Sequence, residues 1–167
     1  ALPGGRIVIM GGLLAAAASP EELAGVLAHE TAHIIRRHAT RAMIKNTSTA
    51  LLLQMLLGND NLGGLAAGGL QTLAQLRYSR DNEQEADRRG LELLVAAGID
   101  PRGMVDFLAH LDEQERGFAI PAYLSTHPAT ADRIHALEQA IAIRLRKNDP
   151  PVVIGEEEWS KLKGGCR

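Results

Sequence analysis

Cysteine is nearly missing from this chain: Cys166 stands alone, so no disulfide can form within it, and no redox compartment follows from its cysteine usage. Aromatic residues are scarce at 3%, which disfavours an aromatic-rich sandwich and suits helices packed through the abundant Ala, Leu and Gly. Charge of one sign is lacking too. With 18 basic and 20 acidic residues the net charge is −2, so there is no electrostatic footprint for DNA or RNA, and nucleic acid is not an expected partner. No apolar run reaches the 18 or more residues of a membrane span, because Gly58-Asn59-Asp60-Asn61 interrupts the best candidate. A leader of basic then apolar residues is also missing before Ala1, so the chain reads as a mature or trimmed piece, with an anchor or further domain expected outside it.

What is present is enough apolar sequence, 46% of 167 residues, for one sizeable core. The expected fold is mostly α with a small β-sheet: one domain over residues 1–147 and a C-terminal tail over 148–167. Arg6-Ile7-Val8-Ile9-Met10, between Pro3-Gly4-Gly5 and Gly11-Gly12, reads as the best strand. Ser19-Pro20-Glu21-Glu22 supplies an N-cap, a proline at the first helical position and a glutamate three residues after the cap, so a helix is expected from there to about residue 43. Further helices are expected over part of 49–76, from Tyr78 to a C-cap at Gly98, from Asp100-Pro101 to about 115, and over 129–147, with a loop over 118–128. The short run Val152-Val153-Ile154 reads as a strand that could join the sheet.

The chemistry centres on Ala28-His29-Glu30-Thr31-Ala32-His33. Histidines four apart on a helix differ by only about 40° around its axis, so His29 and His33 can share one ion. Neutral imidazole binds zinc at about 2.0–2.1 Å, and Glu30, beside the same face, can reach a water at the ion. The bare pattern also occurs on solvated surface helices. Here, however, 26–28 and 31–35 carry no charge outside the motif, and burying two histidines and a glutamate is costly unless they are paired or bound to metal.

A catalytic zinc needs a third protein ligand. The class that adds a histidine after a motif glycine is excluded, because those two positions are Ala39 and Arg36. His38 is one residue out of register, about 140° round a continuous helix from His33, and reads as a surface histidine. A second helix offers carboxylates instead: Glu83 and Asp87 are four apart and share a face, whereas Glu85, about 200° from Glu83, reads as a solvated charge. In such pairs one carboxylate binds the ion and the other accepts a hydrogen bond from a ligand histidine.

These blocks, together with Thr126-His127-Pro128 and the opening Leu2-Pro3-Gly4-Gly5, resemble the gluzincin metallopeptidase family that includes the CAAX prenyl protease, the bacterial heat-shock membrane protease and the β-barrel assembly-enhancing protease. The resemblance runs from about residue 2 to 137. It implies a zincin-like domain, one catalytic Zn2+ held by His29, His33 and Glu83, Asp87 behind a ligand histidine, and an extended peptide substrate pairing with the strand edge at 7–10. It further implies that His127 lies near the metal, either as oxyanion stabiliser or as fourth ligand in a resting state. Thr31-Ala32 departs from the commoner hydrophobic-glycine pair, a mild change because both residues are small. By resemblance the setting is the bacterial periplasm or envelope membrane and the task protein quality control.

Glu30 is the expected general base, taking a proton from the attacking water and delivering it to the leaving amine. A serine or cysteine nucleophile lacks support, since no Gly-x-Ser-x-Gly elbow occurs. The rival is a non-catalytic module with a closed structural zinc, which His127 as a permanent ligand would favour. The apolar stretches 50–57 and 62–76 read first as core helices and second as a peripheral membrane contact.

Overall fold

The computed structural model describes residues 2, 4–57, 78–114, 123, 126–128, 130–144 and 153–165; the expected helix over 62–76 and most of the 118–128 loop lie outside these residues. Among the described residues seven helices follow in order: α1 (Gly11–Ala16), α2 (Pro20–Ile35), α3 (His38–Leu57), α4 (Arg80–Ala97), α5 (Arg102–Gln114), α6 (Ala131–Arg144) and α7 (Glu156–Gly164).

The start of α2 is written in its sequence. Ser19 Oγ accepts from the Glu22 amide at 3.1 Å, and Glu22 reaches back to the Ala18 amide at 2.8 Å, so two otherwise unpaired donors are satisfied. The far end of α4 is equally explicit: Gly98 closes it in the left-handed region at φ 70°, where a side chain would be disfavoured.

α2 is the central element, packed against both α4 and α5, with α6 across the same two helices. One side of it adds Leu23 and Val26 to a core of Leu13, Leu14, Ala17, Phe107 and Leu111; the other adds Ala28 to a core of Leu91, Leu94, Met104, Leu108, Leu137 and Ile141. Close approach depends on missing side chains. A Cβ on Gly90 would lie 3.2 Å from the His29 amide nitrogen, so α4 can lie against the backbone of α2 at the motif itself.

The fold departs from expectation in its β-structure. No strand exists among the described residues; the expected small β-sheet is replaced by a single bridge between Leu2 and Arg6, formed as Gly4 and Gly5 turn the chain at φ 86° and 79°. Residues 7–10 have no strand partner among the described residues, and Val8, Ile9 and Met10 are exposed. β-branched residues favour extended backbone, but a strand also needs a neighbour to pair with, and the chain turns into α1 directly after Met10. Gly11-Gly12, read as turn formers, are the first residues of that helix. Val153 and Ile154 likewise form a bend rather than a strand.

The helix expected to run to about 43 is two helices. Arg37 takes a left-handed conformation at φ 55°, ending α2 and starting α3 in a new direction. Beyond the expected start of the tail, α7 returns to α1 and α2: Trp159 donates to the Ala18 carbonyl at 3.3 Å and Lys163 to that of Ala17 at 2.8 Å. Among the described residues no helix is long and apolar enough to cross a membrane.

Candidate metal centre

α2 carries His29, Glu30 and His33, α4 carries Glu83 and Asp87, and the segment before α6 carries His127; all six are buried. One ligand atom from each of His29, His33, Glu83 and His127 falls within 4.8 Å of the other three. The Nε2 atoms of His29 and His33 are 3.0 Å apart, and His127 Nδ1 lies 3.3 Å from His29 Nε2 and 3.1 Å from Glu83 Oε1. Glu83 Oε2 is 3.5 Å from His29 Nε2, and its Oε1 is 3.4 Å from His33 Nε2.

Those separations test the fit to a metal. Ligands arranged tetrahedrally about 2.0–2.1 Å from one ion stand about 3.3 Å from each other, and the observed distances bracket that value. Neutral imidazoles do not otherwise gather with their bare nitrogens face to face, because lone pairs repel unless a proton or a metal lies between them. The donor set of imidazole nitrogens and one carboxylate suits a divalent transition metal, zinc among them.

Electrostatics point the same way. Burial works against a charge on His29, yet its hydrogen bonds to the carboxylates of Asp87 and Glu83 outweigh it and raise its pKa to about 9. His33 goes the other way, to about 4, because burial and the charge on His29 outweigh Glu83. Of the two adjacent α2 imidazoles, His29 therefore favours its charged form and His33 its neutral form. Despite burial, the surrounding histidines hold Glu83 far below the usual carboxylate range, and His127 lowers Glu30.

On the far side of His29 from the cluster, Asp87 Oδ1 pairs with His29 Nδ1 at 2.9 Å. Arg133, which the sequence reading overlooked, anchors that carboxylate through two bonds of 2.7 Å and also reaches Glu83 Oε2 at 2.9 Å. A buried guanidinium is well suited to such a fork. Glu30 Oε1 faces His127 Nε2 at 3.3 Å.

Other residues belong to the site as well. His38 is not at the surface: it is 0% exposed, with Nδ1 2.9 Å from His33 Nδ1 and Nε2 3.1 Å from Glu85 Oε2. Glu85 is not simply solvated either, since Arg36 holds its other oxygen at 2.8 Å. Tyr78 lies over His33, ring centroids 4.2 Å apart, and Tyr123 stacks on His127 at 4.8 Å. Burial, then the carboxylates of Glu30 and Glu83, push the Tyr78 phenol to about 12, so it keeps its proton. The chain has only two tyrosines, and both flank the motifs, one five residues before Glu83 and one four before His127. That scarcity was the available signal.

The profile of peptidase family M48 matches residues 1–141 of the chain. The chain belongs to peptidase family M48. It is 34% identical to the β-barrel assembly-enhancing protease of Escherichia coli K12, with 96% of this chain covering 34% of that protein, and 36% identical to that of Yersinia pestis, with 78% covering 29%. It is 38% identical to the mitochondrial metalloendopeptidase OMA1 of Arabidopsis thaliana, with 83% covering 28%. The chain thus spans about a third of the length of the curated relatives it matches. Family membership identifies it as a metallopeptidase domain, in agreement with the resemblance drawn from its motifs.

Proposed function

We propose that this chain is the catalytic domain of a zinc-dependent endopeptidase, in which His29, His33 and Glu83 hold the ion and Glu30 is the general base. The gathering of these ligand atoms within 4.8 Å, with Glu30 beside that helix face and 3.3 Å from His127, is the observation that carries the reading. A bound zinc would polarise the scissile carbonyl and ease loss of a proton from water at the site. Glu30 takes that proton during attack and delivers it to the leaving amine, and no covalent intermediate is needed. Asp87 holds His29 in the tautomer that presents Nε2 inward, with Arg133 fixing Asp87.

His127 is read here as the fourth ligand of a resting form. Its Nδ1 points into the cluster, while its Nε2 faces Glu30 and occupies the base. Moving His127 aside would open the fourth position and remove its contact with Glu30. The same geometry favours the second reading, a closed structural zinc, so the two must be separated by experiment. Protein or peptide substrates follow from the family. Binding in extended form, residues 1–147 as the catalytic unit and a role in envelope protein quality control are further parts of the proposal, the last resting on relatives named β-barrel assembly-enhancing protease.

Cleavage of casein by the zinc-loaded chain is expected to vanish on chelation and in Glu30→Gln, although that variant still binds one zinc. Cleavage retained by Glu30→Gln would remove its role as base. His127→Ala is expected to speed cleavage; a variant that loses zinc and never cuts would instead establish the structural reading.

A further inference from the structure

We infer that His38 and Glu85 are positioning residues for the metal centre, orienting His33 from the side away from the ion. The inference rests on the reading of His33 as a metal ligand. It begins with the backbone: Arg37 at φ 55° ends α2 just past the motif, so α3 restarts at His38 with its ring against His33. Without that kink, helical geometry would carry His38 about 140° away. A left-handed conformation is disfavoured for a residue with a side chain, and the arrangement it produces is this contact.

The contact has one consistent arrangement of protons. If His33 offers Nε2 to an ion, its proton must sit on Nδ1, which lies 2.9 Å from His38 Nδ1. His33 Nδ1 therefore donates, and His38 Nδ1 accepts. The proton of His38 is then on Nε2, 3.1 Å from Glu85 Oε2, so His38 donates to Glu85. Arg36 holds the other oxygen of Glu85 at 2.8 Å, which keeps the carboxylate facing His38. Each link leaves only one role for the next. The carboxylate at the end withdraws the Nδ1 proton of His33 slightly through the intervening ring, making Nε2 a better donor to the metal and fixing the ring plane. Peptide hydrolysis as derived above uses neither His38 nor Glu85.

The alternative is that His38 is a packed core histidine with no effect on the metal. Zinc affinity of the 167-residue chain, measured by competition with a chromogenic chelator, separates the two, with His33→Ala and wild type as references. His38→Leu keeps the volume but leaves the His33 Nδ1 proton without an acceptor, and should weaken zinc binding about 10–100-fold. His38→Asn supplies a carbonyl acceptor and should recover much of that loss. Glu85→Gln should weaken binding by a smaller factor, and the His38→Leu/Glu85→Gln double variant should bind no more weakly than His38→Leu alone, because Glu85 acts through His38. The visible absorption of the cobalt-substituted protein should change in His38→Leu, reporting an altered ligand geometry.

Zinc affinity within twofold of wild type in a folded His38→Leu would overturn the inference, as would full additivity in the double variant. If His38→Leu does not fold, Glu85→Gln decides: weakened zinc binding with an unchanged zinc-free unfolding midpoint supports positioning, and unchanged binding refutes it. A wild-type chain that takes up no zinc would sink the metal-centre reading and this inference with it, whereas zinc uptake lost only in His33→Ala would sink the positioning role alone.

Discussion

The two histidines of α2 are backed by carboxylates in unlike ways. His29 bonds Asp87 directly, and a buried Arg133 grips that carboxylate and Glu83 together. His33 reaches its carboxylate, Glu85, only through His38, and the arginine at the end, Arg36, lies at the rim with Glu85 partly exposed. Both chains have the same logic of imidazole, carboxylate and guanidinium. Their surroundings differ: charges cut off from water must be neutralised by each other, while charges at the rim are also served by solvent. The inner chain should therefore hold the fold as well as the site, and the outer one should tune the site with little effect on the fold.

Removing the guanidinium from each chain is the strongest way to break this comparison. Arg133→Met leaves the buried Asp87 and Glu83 carboxylates with His29 but without their guanidinium, and should cost about 3–5 kcal/mol in the urea unfolding of the zinc-free protein. Arg36→Met should leave the unfolding midpoint close to wild type. Equal losses in the two variants would show that burial does not distinguish the chains.

The inner chain was partly legible in the sequence, and the outer one was not. Spacing placed Asp87 on the face of Glu83, because both lie on one regular helix whose start and end are marked by Ser79 and Gly98. Helical spacing also put His29 and His33 together. The same arithmetic misplaced His38, since it assumed that α2 continued through Arg37, an ordinary arginine that gives no local sign of a left-handed turn. Arg133 and Tyr78 escaped because they come from separate elements, and only tertiary packing brings them to the cluster. The β-branched run at 7–10 was read as a strand, but pairing depends on a neighbour that a single segment cannot reveal.

Backbone substitutions sharpen the contrast with smaller effects. A Cβ at Gly90 would press on the backbone of His29, so Gly90→Ala should lower stability by about 1–3 kcal/mol and weaken zinc binding through the inner ligand. At the outer kink, Arg37→Gly relieves about 1–2 kcal/mol of left-handed strain. Gly loses about 0.5–1 kcal/mol more on ordering, so only a small net gain remains. Thermal unfolding should then show a clear drop for Gly90→Ala and little change for Arg37→Gly; a large drop in the latter would mean that the Arg37 side chain itself supports the junction.

The pH dependence of the zinc-free protein separates the two histidines most finely. His29 is raised to about 9, so its contribution is full below its unfolded pKa near 6.5 and is lost as pH rises through about 9. His33 is lowered to about 4, so its contribution is full above 6.5 and is lost as pH falls toward about 4. Asp87 is depressed too, chiefly by Arg133 and His29 against the opposing effect of burial, and adds a further loss in stronger acid. Stability should peak near neutrality and fall on both sides. Zinc requires both α2 imidazoles unprotonated, and at pH 7 His29, not His33, is the one of that pair that carries a proton to lose, so the pair should release about one proton on loading rather than two. Titration calorimetry in buffers of different ionisation heat counts that proton, and melting from pH 6 to 10 should show the alkaline decline in the zinc-free protein but not in the loaded one. An identical decline in both would mean that His29 is not where the metal-free centre keeps its charge.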